Sequence, residues 1–466
     1  MSKERNMQGL GNDSILSLLI KFSIPAIIGM IVNMLYNVVD RIYIGNIPNI
    51  GGLAITGVGV TMPITQIITG LGMLIGIGTS ASISIAFGKG KKDDAEKYLG
   101  NGFLGIIVIS LSVAILGNIF AEQILKLFGA SENTLPYALD YIRPLMFGTI
   151  CNLVAFGLNH SIRSDGNPKT SMYTMILGAS INIILDPIFI FGLNLGIKGA
   201  AYATVISQFI ALCWVLSYFT RSKKSTIKLS LSSMKFDLRI MKGILAIGMA
   251  PFAMQVASSI VSVIANKSLM AYGGDLAIGA MAIITSIYSI FIMPIFGLNQ
   301  GAQPIIGFNY GAKNYSRVKQ TYIYSLIGST IILILSFIFI QFFPELAVNM
   351  FNKDPELTEI TISGMKIFLL SLPIIGIQMT ASNYYQAVGK STKAMIISLT
   401  RQVIFLVPCF IIIPKFFGLT GVWAAGPIAD TLAVIVSLIA IVIEMRSLKN
   451  SDTLDSKNSE KEIDIA

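Results

Sequence analysis

Residues 181–192 read INIILDPIFIFG: Asn182 and Asp186 stand four residues apart in an otherwise apolar run, and Pro187 follows the aspartate directly. A four-residue spacing puts the amide and the carboxylate on one face of a helix. If that helix crosses a membrane, the carboxylate costs about 2.5–3.5 kcal/mol on the insertion scale and needs a partner or a task.

The rest of the chain places the run in a membrane. Of 466 residues, 54% are hydrophobic and 12% charged, about half the charge that a soluble domain carries. Apolar blocks long enough to span a bilayer alternate with short polar loops. They predict twelve spans, near 15–44, 52–87, 99–120, 134–162, 169–192, 197–219, 240–272, 276–309, 319–343, 357–387, 393–413 and 419–445. The fold class expected is therefore an all-α polytopic membrane protein, with the lipid bilayer as its surroundings.

Charge distribution sets the orientation. Lys89, Lys91, Lys92 and Lys97 follow the second span, Arg163 and Lys169 the fourth, and Arg221 to Lys242 surround the loop after the sixth. Lys313, Arg317 and Lys319 follow the eighth, Lys390 and Lys393 the tenth, and Arg446 and Lys449 the last. Every even-numbered loop is basic, which makes both termini cytoplasmic by the positive-inside rule. The +10 net charge is thus sorted by a membrane and does not form a nucleic-acid groove. No cleavable signal pattern opens the chain, so the cytoplasmic membrane is the expected location. Cys151, Cys213 and Cys409 lie in apolar runs, without disulfide or zinc spacing. A lone histidine, His160, with no nucleophile–base constellation argues against an enzyme, and no cofactor is implied.

The chain repeats itself. SIPAIIGM at Ser23 resembles GMAPFAMQ at Gly248, aligning Pro25 with Pro251; AFGKGKKDDAEK from Ala86 matches GFNYGAKNYSRV from Gly307; GIKGAAYA from Gly196 matches GLTGVWAA from Gly418. Six spans per half give both copies the same orientation. They predict two pseudo-symmetric six-helix bundles around a central cavity. The lobes are residues 1–220 and 240–446, joined by a cytoplasmic loop at 221–239 and followed by a disordered tail at 447–466.

Depth then groups the polar residues. Asp40 ends the first span, Asp186 is late in the fifth, Thr204 is early in the returning sixth, and Asn182 shares a face with Asp186. All four fall in the outer half. Oxygen ligands of this kind suit Na⁺, and two neighbouring carboxylates equally suit a retained proton. Arg401 and Asp430 lie at equal distances from the loop joining the last two spans, which predicts an intramembrane ion pair. Gln255 and Gln378 belong to a polar, uncharged lining expected in the second half.

With FSIPAIIGM, VVDRIYIG, NIILDPIFIFG, GAAYATVIS and AVGKSTKAM in view, the whole chain resembles the multidrug and toxic compound extrusion (MATE) transporters, in particular the DinF-like bacterial branch. The resemblance implies a V-shaped cavity and export of cationic amphipathic drugs or toxins against inward Na⁺ or H⁺ flow. It implies an N-lobe cation site of Asp40, Asn182, Asp186 and Thr204, places Tyr36 and Asn159 at the cavity wall, and makes Pro25 a helix bend. The NorM-like branch carries C-lobe carboxylates where this chain has Ser259 and the Ile377–Gln378 neighbourhood, so coupling is expected in the N-lobe. The protein is expected to act as a monomer. A flippase for lipid-linked precursors shares the architecture and is the alternative reading.

Overall fold

The structure is a computed structural model that describes residues 9–48, 50–351 and 354–463. Among these residues all the regular secondary structure is helical. In chain order the helices are α1 (Ile15–Gly45), α2 (Gly51–Gly88), α3 (Lys92–Ile119), the short α4 (Ala121–Leu127), α5 (Leu135–Ser164), α6 (Pro168–Pro187) and α7 (Gly196–Thr220). There follow α8 (Leu238–Gly311), α9 (Tyr315–Phe342), the short α10 (Pro344–Asn349), α11 (Pro355–Phe368), α12 (Leu372–Ala387), α13 (Ser391–Leu399), α14 (Val407–Ile412) and α15 (Pro414–Ile463).

Among the described residues, ten helices are long and apolar enough to cross a membrane, or eleven if the bent pair α11–α12 is one span. Helix α8 has 74 residues, about 110 Å at 1.5 Å per residue and far longer than any bilayer. Gly274 divides it: φ 64°, ψ −159° is not helical and is open only to glycine. Gly418 (φ 57°, ψ −138°) likewise sets the first turn of α15 apart from the rest.

Proline placement explains the other irregularities. Pro187 has no N–H to give the ladder, and the next five residues, Ile188–Gly192, wind as a π-helix in which the Leu193 amide donates to Ile188 O at 2.8 Å. Thr400–Leu406 is also π-helical and leads into Pro408. The segment 357–387, which the sequence presents as one span, is broken: α11 and α12 meet at 55°, with Pro373 in the first turn of α12. The tail expected to be disordered continues α15 as helix to Ile463.

The lobes close on each other through glycines. A Cβ on Gly248 would lie 1.7 Å from Leu74 O, one on Gly78 2.1 Å from Ile244 O, one on Gly88 1.9 Å from Phe308 O and one on Gly311 2.2 Å from Ile85 O. Of these backbone-to-backbone contacts between α2 and α8, those of Gly88 and Gly311 fall at the Gly88–Lys92 corner, and those of Gly78 and Gly248 lie about 15–21 Å further along α2. The 221–237 loop is seated on the N-terminal lobe. Asp165 accepts from Tyr218 Oη at 2.6 Å and from the Thr226 amide at 3.0 Å, and Asn101 bonds Lys235 O and the Asp237 amide.

Candidate functional site

Four helices of the N-terminal lobe converge on one polar cluster. Helix α1 brings Tyr36 and Asp40 one turn apart, α5 brings Tyr141, α6 brings Asn182 and Asp186, and α7 brings Thr204 and Gln208, while Asn159 lies eighteen residues beyond Tyr141 on α5, about 27 Å along the helix. Asp186 is fully buried, Asn182, Asp40, Tyr141 and Thr204 nearly so. Asn182 holds the cluster together: its Nδ2 donates to Asp186 Oδ1 at 3.1 Å and to Thr204 Oγ1 at 3.2 Å. The Asp40 carboxyl lies against that of Asp186 and the Tyr141 hydroxyl.

The cluster has an excess of acceptors. Asp40 Oδ1, Asp186 Oδ2, Asn182 Oδ1 and Gln208 Oε1 are all buried without a hydrogen-bond partner. Buried polar atoms are nearly always satisfied, and an isolated buried carboxylate is expensive. The amides can turn to present nitrogen instead; the carboxyl oxygens cannot. Chemically the arrangement suits a proton or a cation with oxygen ligands, and the donor set present fits Na⁺ or H⁺ equally. Among the described residues no group of three or more His, Cys, Asp or Glu side chains could hold a metal ion, so a transition metal is not what the cluster suits.

Two connected chambers adjoin it. The first, of about 140 Å³, is walled by Tyr36, Asn159, His160, Arg163, Asn182 and Gln208. The second, about 310 Å³, adds Asp40, Tyr141 and Gln66 and shares Tyr36, Thr204 and Gln208 with the first. Pockets for drug-sized ligands run from about 300 to 1,000 Å³, so the second chamber holds a ligand only at the lower limit while the first suits a hydrated ion or one end of a longer molecule.

The other candidate residues lie elsewhere. Pro25 is buried inside α1, whose helix is unbroken from Ile15 to Gly45. Gln255 does not wall either chamber; it packs on Gly70, whose added Cβ would lie 3.2 Å from Gln255 Cβ, between α2 and α8. Gln378 is buried inside the C-terminal lobe and donates to Ile397 O at 3.3 Å. Arg401 and Asp430 meet: Nε donates to Asp430 Oδ1 at 2.5 Å, and Ser371 Oγ donates to Oδ2 at 2.6 Å. Ser371 sits at the α11–α12 break and Arg401 in the π-helical segment, so both irregularities serve this ion pair. Both Asp430 oxygens are satisfied, in contrast to Asp40 and Asp186.

Three contributors escape a reading of the sequence. Tyr141 and Gln208 face the cluster as uncharged side chains, and the charges beside Tyr141, Asp140 and Arg143, wall a separate pocket. Arg163, which composition assigns to a basic loop, is only 3% exposed inside α5.

The fold and the sequence have known counterparts. The MatE family model matches residues 25–188 and again 251–411, more than half of the chain, and the chain belongs to the MatE family. It is a transporter and not an enzyme. It is similar to "Multidrug export protein MepA" of Staphylococcus haemolyticus, 29% identical over 97% of this chain and 98% of that one. The same-named protein of Staphylococcus aureus is 27% identical over the same shares. Among solved structures, one described as the outward-facing conformation of a multidrug resistance MATE family transporter superposes with a TM-score of 0.89 at 25% identity, over 96% of this chain and 99% of that one. A MATE protein in a bent conformation gives 0.90 at 25% identity, over the same shares.

Proposed function

We propose that the protein is a cation-coupled multidrug antiporter that exports cationic amphipathic compounds by alternating access, with Asp40, Asn182, Asp186 and Thr204 as the coupling site. The observation that carries this is the pair of buried carboxyls, drawn from α1 and α6, with an unbonded oxygen on each. One Na⁺ or proton satisfies them, and its arrival changes how α1 seats on α6 and α7. Tyr36, common to both chambers, and Asn159 then form the wall against which drug and ion compete. Pro25, by removing one ladder bond in α1, gives that helix a place to bend.

Twelve crossings in a 6+6 arrangement, with both termini cytoplasmic in the cell membrane, complete the proposal. Its supports are the break at Gly274, the α11–α12 pair as one bent span, and two family-model matches that each begin on a proline, Pro25 and Pro251. In this orientation the glycine contacts seal the cytoplasmic side and the acidic chamber faces outward. The working unit is a monomer. A membrane potential supplies about 2.3 kcal/mol per charge per 100 mV, and a tenfold substrate gradient needs about 1.4 kcal/mol, so one or two ions suffice. A flippase for lipid-linked precursors would want cationic residues where Asp40 and Asp186 stand.

The test is dye export by protein in liposomes, with Na⁺ and pH gradients imposed separately. Wild type should respond to at least one gradient, and the Asp40→Asn, Asp186→Asn double variant should lose at least ~90% of the gradient-driven rate while keeping its fold. Undiminished coupled export by the double variant removes the site assignment.

A further inference from the structure

The outer surface of the N-terminal lobe carries a cleft that lies apart from the acidic cluster. It runs between α5 and α7, and its volume of about 400 Å³ exceeds that of either chamber. Each helix contributes one stripe at helical spacing. On α5 the stripe is Asp140, Arg143, Pro144 and Phe147, and on α7 it is Lys198, Tyr202 and Val205. Both stripes start charged near the beginning of their helix and turn apolar along it, and Phe147 and Tyr202 are exposed. Two contacts set the helices side by side: Lys198 Nζ stands 3.3 Å from Asp140 Oδ1, and a Cβ on Gly148 would lie 2.5 Å from Val205 Cγ2.

The charged end of the cleft has one cation in surplus. Arg143 makes no hydrogen bond or ion pair among the described residues. Glu122 of α4 lies within electrostatic reach of it but is bonded to Lys126 at 2.7 Å. The Lys198–Asp140 pair is exposed on both sides, and such pairs contribute about 0–1 kcal/mol, so a stronger acceptor can draw the ammonium away. From Asp140 to Gly148 is eight residues, about 12 Å of helix, which fits inside the roughly 15 Å of hydrocarbon in one leaflet. The cleft thus has a cationic end at headgroup level and an aromatic and aliphatic floor beneath it.

A guanidinium fork matches phosphate oxygens, and long basic side chains extend to the headgroup level over apolar surface. We propose that this cleft binds one anionic phospholipid, its phosphate on Arg143 and Lys198 and an acyl chain along Phe147, Tyr202 and Val205. A zwitterionic lipid fits the apolar floor equally well but brings its own ammonium toward two cations. Tyr141 and Thr204 of the acidic cluster are buried on the other side of the same turns, so the lipid braces from outside the two helices that hold them. The inference needs only that α5 and α7 cross a membrane, and it stands whether or not Asp40 and Asp186 couple transport.

Bromine quenching of a tryptophan placed in the cleft tests it. Tyr202→Trp is made together with Trp214→Phe, and the same protein without Tyr202→Trp gives the background. In vesicles mixing phosphatidylcholine with phosphatidylglycerol, one or the other brominated, quenching gives the relative affinity of the cleft for the anionic lipid. It should favour phosphatidylglycerol by about fivefold, the scale of one net cation near the surface. Arg143→Gln should bring the ratio close to one, while Asp140→Asn, which adds a net positive charge, should raise it several-fold. If Arg143→Gln does not fold, Lys198→Gln makes the same change of charge. A tryptophan at Ile331→Trp, exposed on α9, should show no preference. A ratio near one in the cleft, an equal ratio at position 331, or a ratio that these charges do not move overturns the proposal. So does a preference abolished by inorganic phosphate but not by chloride at equal ionic strength, since a free anion would then be the occupant.

Discussion

A single methyl at Gly248 should loosen the contact between α2 and α8 that, in the proposed orientation, seals the cytoplasmic side. The added Cβ would lie 1.7 Å from Leu74 O and 2.5 Å from its carbonyl carbon, where ordinary contact begins near 3.4 Å. Helix α8 must retreat from α2 by more than 1 Å, because the obstacle is backbone and cannot rotate away. Nearby Gly78 makes a similarly close approach to Ile244 O, so the displacement opens a strip and not a point. Overpacking of this kind costs about 1–3 kcal/mol, and if the cytoplasm-open state separates α2 from α8 it is spared that cost. Gly248→Ala should then shift the balance between the two states by roughly 5- to 150-fold toward the cytoplasm-open one. The measurement is electron–electron distance between spin labels at Lys92→Cys and Lys319→Cys, on either side of the seal, after replacing Cys151, Cys213 and Cys409. Gly248→Ala should add a longer-distance population or lower Tm by several degrees. A distance distribution identical to wild type, together with an unchanged Tm, would refute the reasoning, since the methyl would then have found room that the backbone contacts deny.

Two further outcomes follow from buried charge. Arg401→Ala leaves Asp430 buried with Ser371 alone and should cost about 3–5 kcal/mol, read as loss of monodisperse protein or of Tm, while Arg401→Met with Asp430→Leu recovers most of it; a harmless single variant contradicts this. Asp165 lies in the loop after α5, and burial pushes its carboxyl up to about 6 despite hydrogen bonds from Tyr218 and Thr226. Between about pH 4 and 6 the folded protein therefore holds a proton that the unfolded chain has released, so this group's contribution is complete below about 4 and lost as pH rises through 6. Thermal unfolding from pH 4 to 7 should show that decline, on the order of 2–3 kcal/mol at most, and Asp165→Asn should flatten it; an equal slope in the variant sets the idea aside.

Much of the site is legible in the sequence because a membrane makes depth readable. Helices rise 1.5 Å per residue between loops whose charge reveals their side. That arithmetic is enough to bring Asp40, Asn182, Asp186 and Thr204 to one level, and to pair Arg401 with Asp430. It works for residues whose burial is costly and therefore conspicuous. Tyr141 and Gln208 carry no such cost, and nothing in the chain singles them out. Arg163 misleads for the opposite reason: a cation near a helix end has the signature of a solvated loop, and only the packing of α5 against α6 shows it buried.

By itself the sequence determined the membrane class and the level of each charge along its helix, since hydropathy and helical rise are local or one-dimensional properties. Tertiary structure decided which face each helix turns inward. Rotation about a helix axis is set by packing against neighbours, and here π-segments next to Pro187 and Pro408 and the α11–α12 break shift the register locally. It thereby decided that Gln378 is buried within the C-terminal lobe and that glycine contacts bring α2 and α8 together.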